Sequence, residues 1–253
     1  MTASITTIAR YPVKGFSPQL LDTVEVKPGL TLPFDRTYAI AHAASKYDPA
    51  NPTWLRKAHF LQLMRYEKLA TLTTEFDDQS HGFTIQRDGK QVARGALSQP
   101  IGRKLIEQFL NAYLDGAAPV PVKVIAMEDQ AMTDNPNPYV SIINLASLRD
   151  LERLTLKPVD WRRFRGNLMI DGIPAWSEFD WVGSDVTVGS AKGKIIDRID
   201  RCAATTVNPD TGDRDIAIVQ LLRSGYDHID CGVFLELTKG GTIAVGDGVS
   251  LTT

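Results

Sequence analysis

Ile199-Asp200-Arg201-Cys202-Ala203-Ala204-Thr205-Thr206-Val207-Asn208-Pro209-Asp210-Thr211-Gly212 is the stretch of this 253-residue chain on which its reading turns. A strand-like run, Lys194 to Ile199, enters it, and Asn208 to Gly212 leaves it as a tight turn, since Asn, Pro, Asp and Gly each favour turn backbone. Between the two stands Cys202, with Arg201 beside it and Arg198 four residues before it. Neighbouring positive charge lowers a thiol pKa and favours the thiolate, the species that binds metals. Ala203 and Ala204 leave room for a bulky group near the backbone, and Thr205 and Thr206 offer hydroxyl donors. The plain alternative is that a lone cysteine at a strand end is a small buried hydrophobe.

Outward from this stretch the chain reads as mainly β with a few helices. Toward the C-terminus, Gly232 to Leu237 and Thr242 to Val245 are strand-like; before it, so are Asp185 to Val188 and Phe164 to Ile170. The first part adds Ile5 to Arg10, Asp22 to Val26, Arg36 to Ala41, Lys68 to Phe76 and Gly82 to Gln86. Pro28-Gly29 and Pro33-Phe34 break these runs, and Asp88-Gly89 is a hairpin signal. Many short strands punctuated by glycine favour a barrel or sandwich. Two segments are helical: Ser98 to Leu114, with Ile101, Leu105, Phe109 and Tyr113 on one face, and Asn144 to Thr155, capped by Asn144. A third helix is expected from Asp215 to Arg223. Two units are expected, 1–95 and 96–253, and Pro136-Asn137-Pro138 reads as a natural joint between an N-terminal β region and a C-terminal one.

The chain's composition excludes several classes. Hydrophobic residues make up 43% and charged residues 23%, as in ordinary globular proteins. The longest apolar runs are strand-sized, short of the ~20 residues a spanning helix needs, so no membrane segment is expected. The first residues lack a signal-like pattern, so a cytoplasmic protein is expected. A net charge of −2 with intermixed signs leaves no basic stripe for nucleic acid. Local clusters at Arg162, Arg163 and Arg165, and at Arg198 and Arg201, suit a small anion better. Two cysteines, Cys202 and Cys231, are too few for a disulfide framework or a four-cysteine metal site. Phosphate loops, dinucleotide fingerprints and nucleophile elbows are missing from the sequence, and His42, His59, His81 and His228 show no ligand spacing.

Arg201-Cys202 followed by Thr205 to Gly212 resembles the signature of the MOSC-domain family, which includes amidoxime-reducing proteins. Further resemblances follow in order: Tyr11-Pro12-Val13-Lys14-Gly15, Phe34-Asp35-Arg36, Val140 to Leu148, Arg163-Phe164-Arg165-Gly166-Asn167-Leu168, Trp176 to Gly183 and Gly241 to Asp247. Two positions depart from the pattern. Gly15 stands where relatives tend to have Ser, and Gly166 where they favour Pro, a change that should loosen its loop.

The resemblance implies a β-barrel MOSC domain packed with an N-terminal β subdomain. It implies a molybdenum cofactor, a molybdopterin whose dithiolene sulfurs and one protein thiolate, Cys202, hold the metal. Because the pterin ends in a phosphate, cationic donors should face it: Lys14, Arg36 and Arg165, with Asn167 hydrogen-bonding the pterin or phosphate. Ser141, Asn144, Arg201 and Thr206 complete the candidate set. The bland readings stand beside these: an Asp35–Arg36 turn pair, a solvated Lys14, a helix-capping Asn144, and an Arg201 that serves only the thiol. Cys231 matches nothing in the family and reads as structural. The implied activity is reduction of N-hydroxylated compounds by oxygen-atom transfer, with two electrons from a separate ferredoxin- or flavoprotein-type partner. Glu178 and Asp180 are candidate acids. The rival readings are a non-enzymatic carrier of cofactor or sulfur, and a β-barrel binding module without metal.

Overall fold

The structure is a computed structural model that describes residues 2–50, 52–127 and 131–252. Met1 and Thr253, the outer ends of the two expected units, lie outside them. The N-terminal part contributes β1 (Ala3–Arg10), β2 (Gln19–Leu21), β3 (Thr23–Val26), β4 (Tyr38–Ala41), β5 (Thr73–Asp77), β6 (Gly82–Arg87) and β7 (Lys90–Ala96), followed by α1 (Pro100–Tyr113) and β8 (Lys123–Ala126). The remainder comprises β9 (Val140–Asn144), α2 (Leu145–Thr155), β10 (Leu168–Asp171), β11 (Asp185–Val188), β12 (Ala191–Asp200), α3 (Ile218–Tyr226), β13 (Asp230–Lys239), β14 (Gly241–Ala244) and β15 (Gly248–Leu251).

Seven strands close into a barrel in the order β10-β9-β13-β12-β11-β15-β1, with β1 returning to β10 through Ile8↔Leu168 and Ile5↔Ile170. Closure satisfies what would otherwise be two exposed sheet edges. In β12, Ala191, Gly193 and Ile195 are buried while Lys192 and Lys194 are exposed, the period-two alternation of a half-buried strand. The interior is filled by aliphatic side chains such as Ile5, Ile142, Leu168, Val186, Ile195 and Leu235. Register irregularities at Ile195/Asp197 and Arg198/Asp200 bend β12 just before Cys202. Helices α2 and α3 cover one side of the barrel over Ile143, Leu148, Leu151, Met169 and Leu222.

Strands β4 to β8 and helix α1 form a second core. Strands β5-β6-β7 make a small antiparallel sheet, β4 pairs with β8, and α1 packs on them through Ile106 and Leu110. The β6–β7 hairpin turns at Asp88 and Gly89, both with positive φ (52° and 71°), as the Asp-Gly signal anticipates. Three local expectations change. The stripe Ile101–Leu105 faces outward (63% and 46% exposed), and the buried face of α1 is Gly102, Ile106, Leu110 and Tyr113. Gly102 is the reason: its Cα lies against the Ala96 backbone, a close approach that sets the rotation of the helix. Residues Glu67–Thr71 form a 3-10 turn before β5 rather than continuing the strand, and Trp161–Phe164 form another before β10. Among the described residues no helix is long and apolar enough to cross a membrane.

Candidate functional site

Where β1 leaves the barrel and β10 enters it, a cavity of about 380 Å³ opens between the barrel and the N-terminal elements. Lys14 and Gly15 enter it from the loop after β1, and Arg36 from the turn before β4. Ser141 lies at the start of β9, and Arg165 and Asn167 lie just before β10. Arg201 and Cys202 follow β12. Six basic side chains border the space (Lys14, Arg36, Lys57, Arg163, Arg165, Arg201) against two acidic ones, Asp134 and Asp200.

The basic groups are tightly held. Arg36 Nη1 donates to Asp35 Oδ2 at 2.5 Å, and its Nη2 donates to the Arg165 carbonyl at 2.8 Å. Arg165 Nη1 donates to the Phe16 carbonyl at 2.8 Å, while its Nη2 is buried with no partner among the described residues. Both guanidiniums lie against the ring of buried Tyr11, at 4.4 and 4.2 Å from its centroid. Burial brings the Arg165 pKa down to about 10, so it stays charged at neutral pH. The same burial pushes the Tyr11 hydroxyl up to about 12, and that hydroxyl has no partner among the described residues.

Lys14, buried, donates from Nζ to the Met132 carbonyl at 2.8 Å and to Asp134 Oδ1 at 2.5 Å. Burial lowers its pKa, against the pull of Asp134. Lys57 Nζ takes the other Asp134 oxygen at 2.9 Å. Burial disfavours the Lys57 charge, but Asp134 and Cys202 outweigh it and its pKa rises. Burial would lift the Asp134 carboxyl, yet the two ammoniums hold it well below the ordinary carboxylate range.

Cys202 is half-buried in extended backbone at the head of the 3-10 turn Ala203–Thr206. Its carbonyl accepts from Thr205 N and from Thr205 Oγ1. Arg163, buried, braces the same loop by donating to the Thr206 carbonyl at 3.2 Å while pairing with Asp215. The threonine hydroxyls are therefore spent on backbone: Thr206 Oγ1 donates to Ala203 O at 2.7 Å.

Not every candidate meets the cavity. Asn144 is fully buried elsewhere, capping α2 through Ala146 N and donating to Glu178 Oε2 at 2.8 Å. Thr206 is outside the lining, and Arg198 stands over the Phe179 ring at 4.3 Å. Glu178 is buried on Asn144 and Ser147, away from the cavity, and burial raises its pKa. Asn167 borders the space but ties strands together: its Oδ1 accepts from Ser141 Oγ at 2.8 Å and its Nδ2 donates to Ala9 O at 3.1 Å. Arg201 is likewise bound to the Cys231 and Phe164 carbonyls. Cys231 is fully buried, its thiol pushed up to about 12 by that burial. Lys57, Gln62 and Asp134 were absent from the sequence reading. They lie in loops or a three-residue turn, where no periodicity or motif marks them.

The two glycine departures are explained by packing. Gly15 has φ +89°, and a Cβ there would sit 2.9 Å from the Leu61 carbonyl oxygen. A Cβ on Gly166 would sit 2.3 Å from Ile143 Cγ1, so this loop is close-packed rather than loose.

A family profile described as the MOSC domain matches residues 129–250. The chain is 30% identical over 140 residues to mouse mitochondrial amidoxime-reducing component 1, covering 51% of this chain and 40% of that protein. It is 33% identical over 122 residues to bovine mitochondrial amidoxime reducing component 2, covering 44% of this chain and 36% of that protein. The matches thus span about 40% or less of those relatives' own length. Among solved structures, the YUAD protein from Bacillus subtilis superposes with a TM-score of 0.44 and 13% identity over 98% of this chain and 94% of that one. YiiM from Escherichia coli does so with 0.34 and 17% over 45% and 54%. Residues 129–250 thus match the MOSC domain, and this part of the chain carries Cys202 beside the basic cavity.

Proposed function

We propose that the chain binds a molybdenum cofactor with Cys202 as its thiolate ligand and reduces N-hydroxylated compounds, taking electrons from a separate redox protein. One observation carries this reading: a single cavity gathers Cys202 with Lys14, Arg36 and Arg165. Its donor set suits a pterin ending in phosphate. Arg165 Nη2 and Gln62 Nε2 are buried donors without partners among the described residues, a costly state that a ligand oxygen would relieve. Arg36 and Arg165 would hold the phosphate by their planar forks, and Lys14 by its point charge. Ser141, Asn167 and Arg201 would border the pterin and keep the strand ends in register. Asn144 and Thr206 would act behind the lining, through α2 and the Cys202 loop. When bound, the cofactor supplies a two-electron redox metal suited to oxygen-atom transfer. The amidoxime-reducing relatives support the substrate class by their names.

The test is molybdenum and pterin analysis of protein from a cofactor-competent host, beside Cys202→Ala, followed by N-reduction assays on an amidoxime with a supplied electron donor. Molybdenum in the wild type, its loss in the variant, and turnover are expected. Bound cofactor without N-reduction would replace the enzyme by a cofactor or sulfur carrier. A chain that takes up neither metal nor pterin would be a binding module.

A further inference from the structure

The strand wall of the cavity differs in chemistry from its loops. Lys14, Arg36, Lys57 and Arg165 enter from loops or turns, whereas Ser141, Phe234 and Ile199 come from β9, β13 and β12, and Tyr139 leads into β9. Phe234 pairs with Ser141, and Tyr139 lies two residues before Ser141, so strand alternation puts all three on one face. Their neighbours Val140, Val233 and Leu235 point the other way and fill the barrel. Tyr139 and Phe234 meet as a tilted ring pair, with centroids 5.5 Å apart and planes at 41°. Asn137 Nδ2 donates to the Tyr139 hydroxyl at 3.2 Å, and Tyr139 N donates to the Asn137 carbonyl at 2.9 Å, which holds the ring. Both rings are half-buried, and neither belongs to the apolar cores of the barrel or of the N-terminal part. They line the cavity instead. Beside Phe234 stands Asp197 of β12, and β12 runs on from there through Ile199 and Asp200, which also line the cavity, to Cys202.

We infer that Tyr139 and Phe234 determine the specificity of the site by taking the flat apolar part of the substrate, so that this chain favours N-hydroxylated compounds carrying an aryl ring. This rests on the proposed reduction of N-hydroxylated compounds. An aryl group laid on the pair adds a third ring in the tilted or edge-on contact that aromatic rings prefer, and covers apolar surface otherwise left to water. The basic side chains of the loops suit an anion, so cofactor phosphate and substrate ring would occupy chemically distinct sides of one space.

The experiment compares cofactor-loaded wild type, Phe234→Leu and Phe234→Tyr with two probes, benzamidoxime and the ring-free acetamidoxime. Pterin content, calorimetric titration with each probe, and kcat/KM for each are measured. Leu keeps apolar bulk and removes the ring; Tyr keeps the ring. The ratio of the two kcat/KM values is independent of how much of each variant is active, so partial misfolding does not enter it. Wild type should prefer benzamidoxime, and Phe234→Leu should lower that preference by about tenfold, in binding as in kcat/KM. Phe234→Tyr should restore it, with pterin content close to wild type throughout. An unchanged preference in Phe234→Leu would overturn the inference, as would equal loss in Leu and Tyr. Loss of pterin in Phe234→Leu would also overturn it, because the pair would then hold the cofactor rather than the substrate. Calorimetric preference without turnover of either probe would sink the proposed reaction and leave the aryl subsite standing.

Discussion

Arg36 Nη2 donates to the main-chain carbonyl of Arg165 at 2.8 Å, and both residues have left-handed backbone, with φ of 53° and 52°. A non-glycine residue in that region costs about 1–2 kcal/mol, so the surrounding contacts must hold each one there. Tyr11 is the shared support, since both guanidiniums pack on its ring. Tyr11→Phe keeps the ring and deletes a hydroxyl that has no partner, so stability should change by less than about 1 kcal/mol and pterin retention should persist. Tyr11→Leu should cost roughly 2–4 kcal/mol through the cavity it leaves, and lower pterin retention besides. Thermal melts and pterin fluorescence per chain read both. Loss of pterin in Tyr11→Phe would show that the hydroxyl matters after all.

Gly166 touches Ile143 so closely that any side chain must displace it. Gly166→Ala should destabilise the protein by about 1–3 kcal/mol, the usual cost of overpacking. Adding Ile143→Val, which removes a methyl group from the crowded side chain, should recover part of it. Denaturant melts of the two single variants and the double variant decide the matter. Additive losses would mean that the clash is relieved elsewhere.

Asp134 links stability to pH. Its carboxyl is held below the ordinary value of 3.8, so ionisation favours the folded state. That stabilisation is present above about pH 4 and declines as the pH falls through the depressed folded-state value. Asp134→Asn should therefore melt at a lower temperature than wild type at pH 7, since it leaves buried Lys14 without its counter-charge. The gap should narrow progressively on acidification. Because the Asp134 side chain is 53% exposed, solvent screens the effect and high salt should shrink it. A gap that widened toward low pH would contradict the sign of this linkage.

The two thiols should differ in access. In metal-free protein, Cys202 is half-buried and open to the cavity, whereas Cys231 is fully enclosed with its thiol pushed up to about 12. An alkylating reagent followed by mass spectrometry should modify Cys202 in the native state and Cys231 only after unfolding. Native modification of Cys231 would show that α3 and β13 open more readily than their packing implies.

Local chemistry was legible in the sequence wherever a residue acts on its own neighbours. Period-two patterns announced β12 and β13, Asp88-Gly89 announced its hairpin, and Asn144 announced the start of α2. The turn after Cys202 was equally local: Asn208 Oδ1 accepts from Asp210 N at 2.9 Å. The stripe Ile101, Leu105, Phe109 and Tyr113 was regular, but regularity alone does not tell which side of a helix another element will approach. Gly102 against Ala96 decided that.

By itself, the sequence determined strand content, turns, caps and the motif around Cys202, because backbone preference and side-chain periodicity are properties of short segments. Tertiary structure alone decided that β1 would close the barrel against β10, with partners such as Ser4 and Asp171 far apart along the chain. It alone turned Asn144 and Arg198 away from the cavity and brought Lys57, Asp134 and Cys202 to the lining of one cavity. Those relationships depend on which faces are buried together, and burial is settled by the whole chain's competition for a shared core rather than by any one segment.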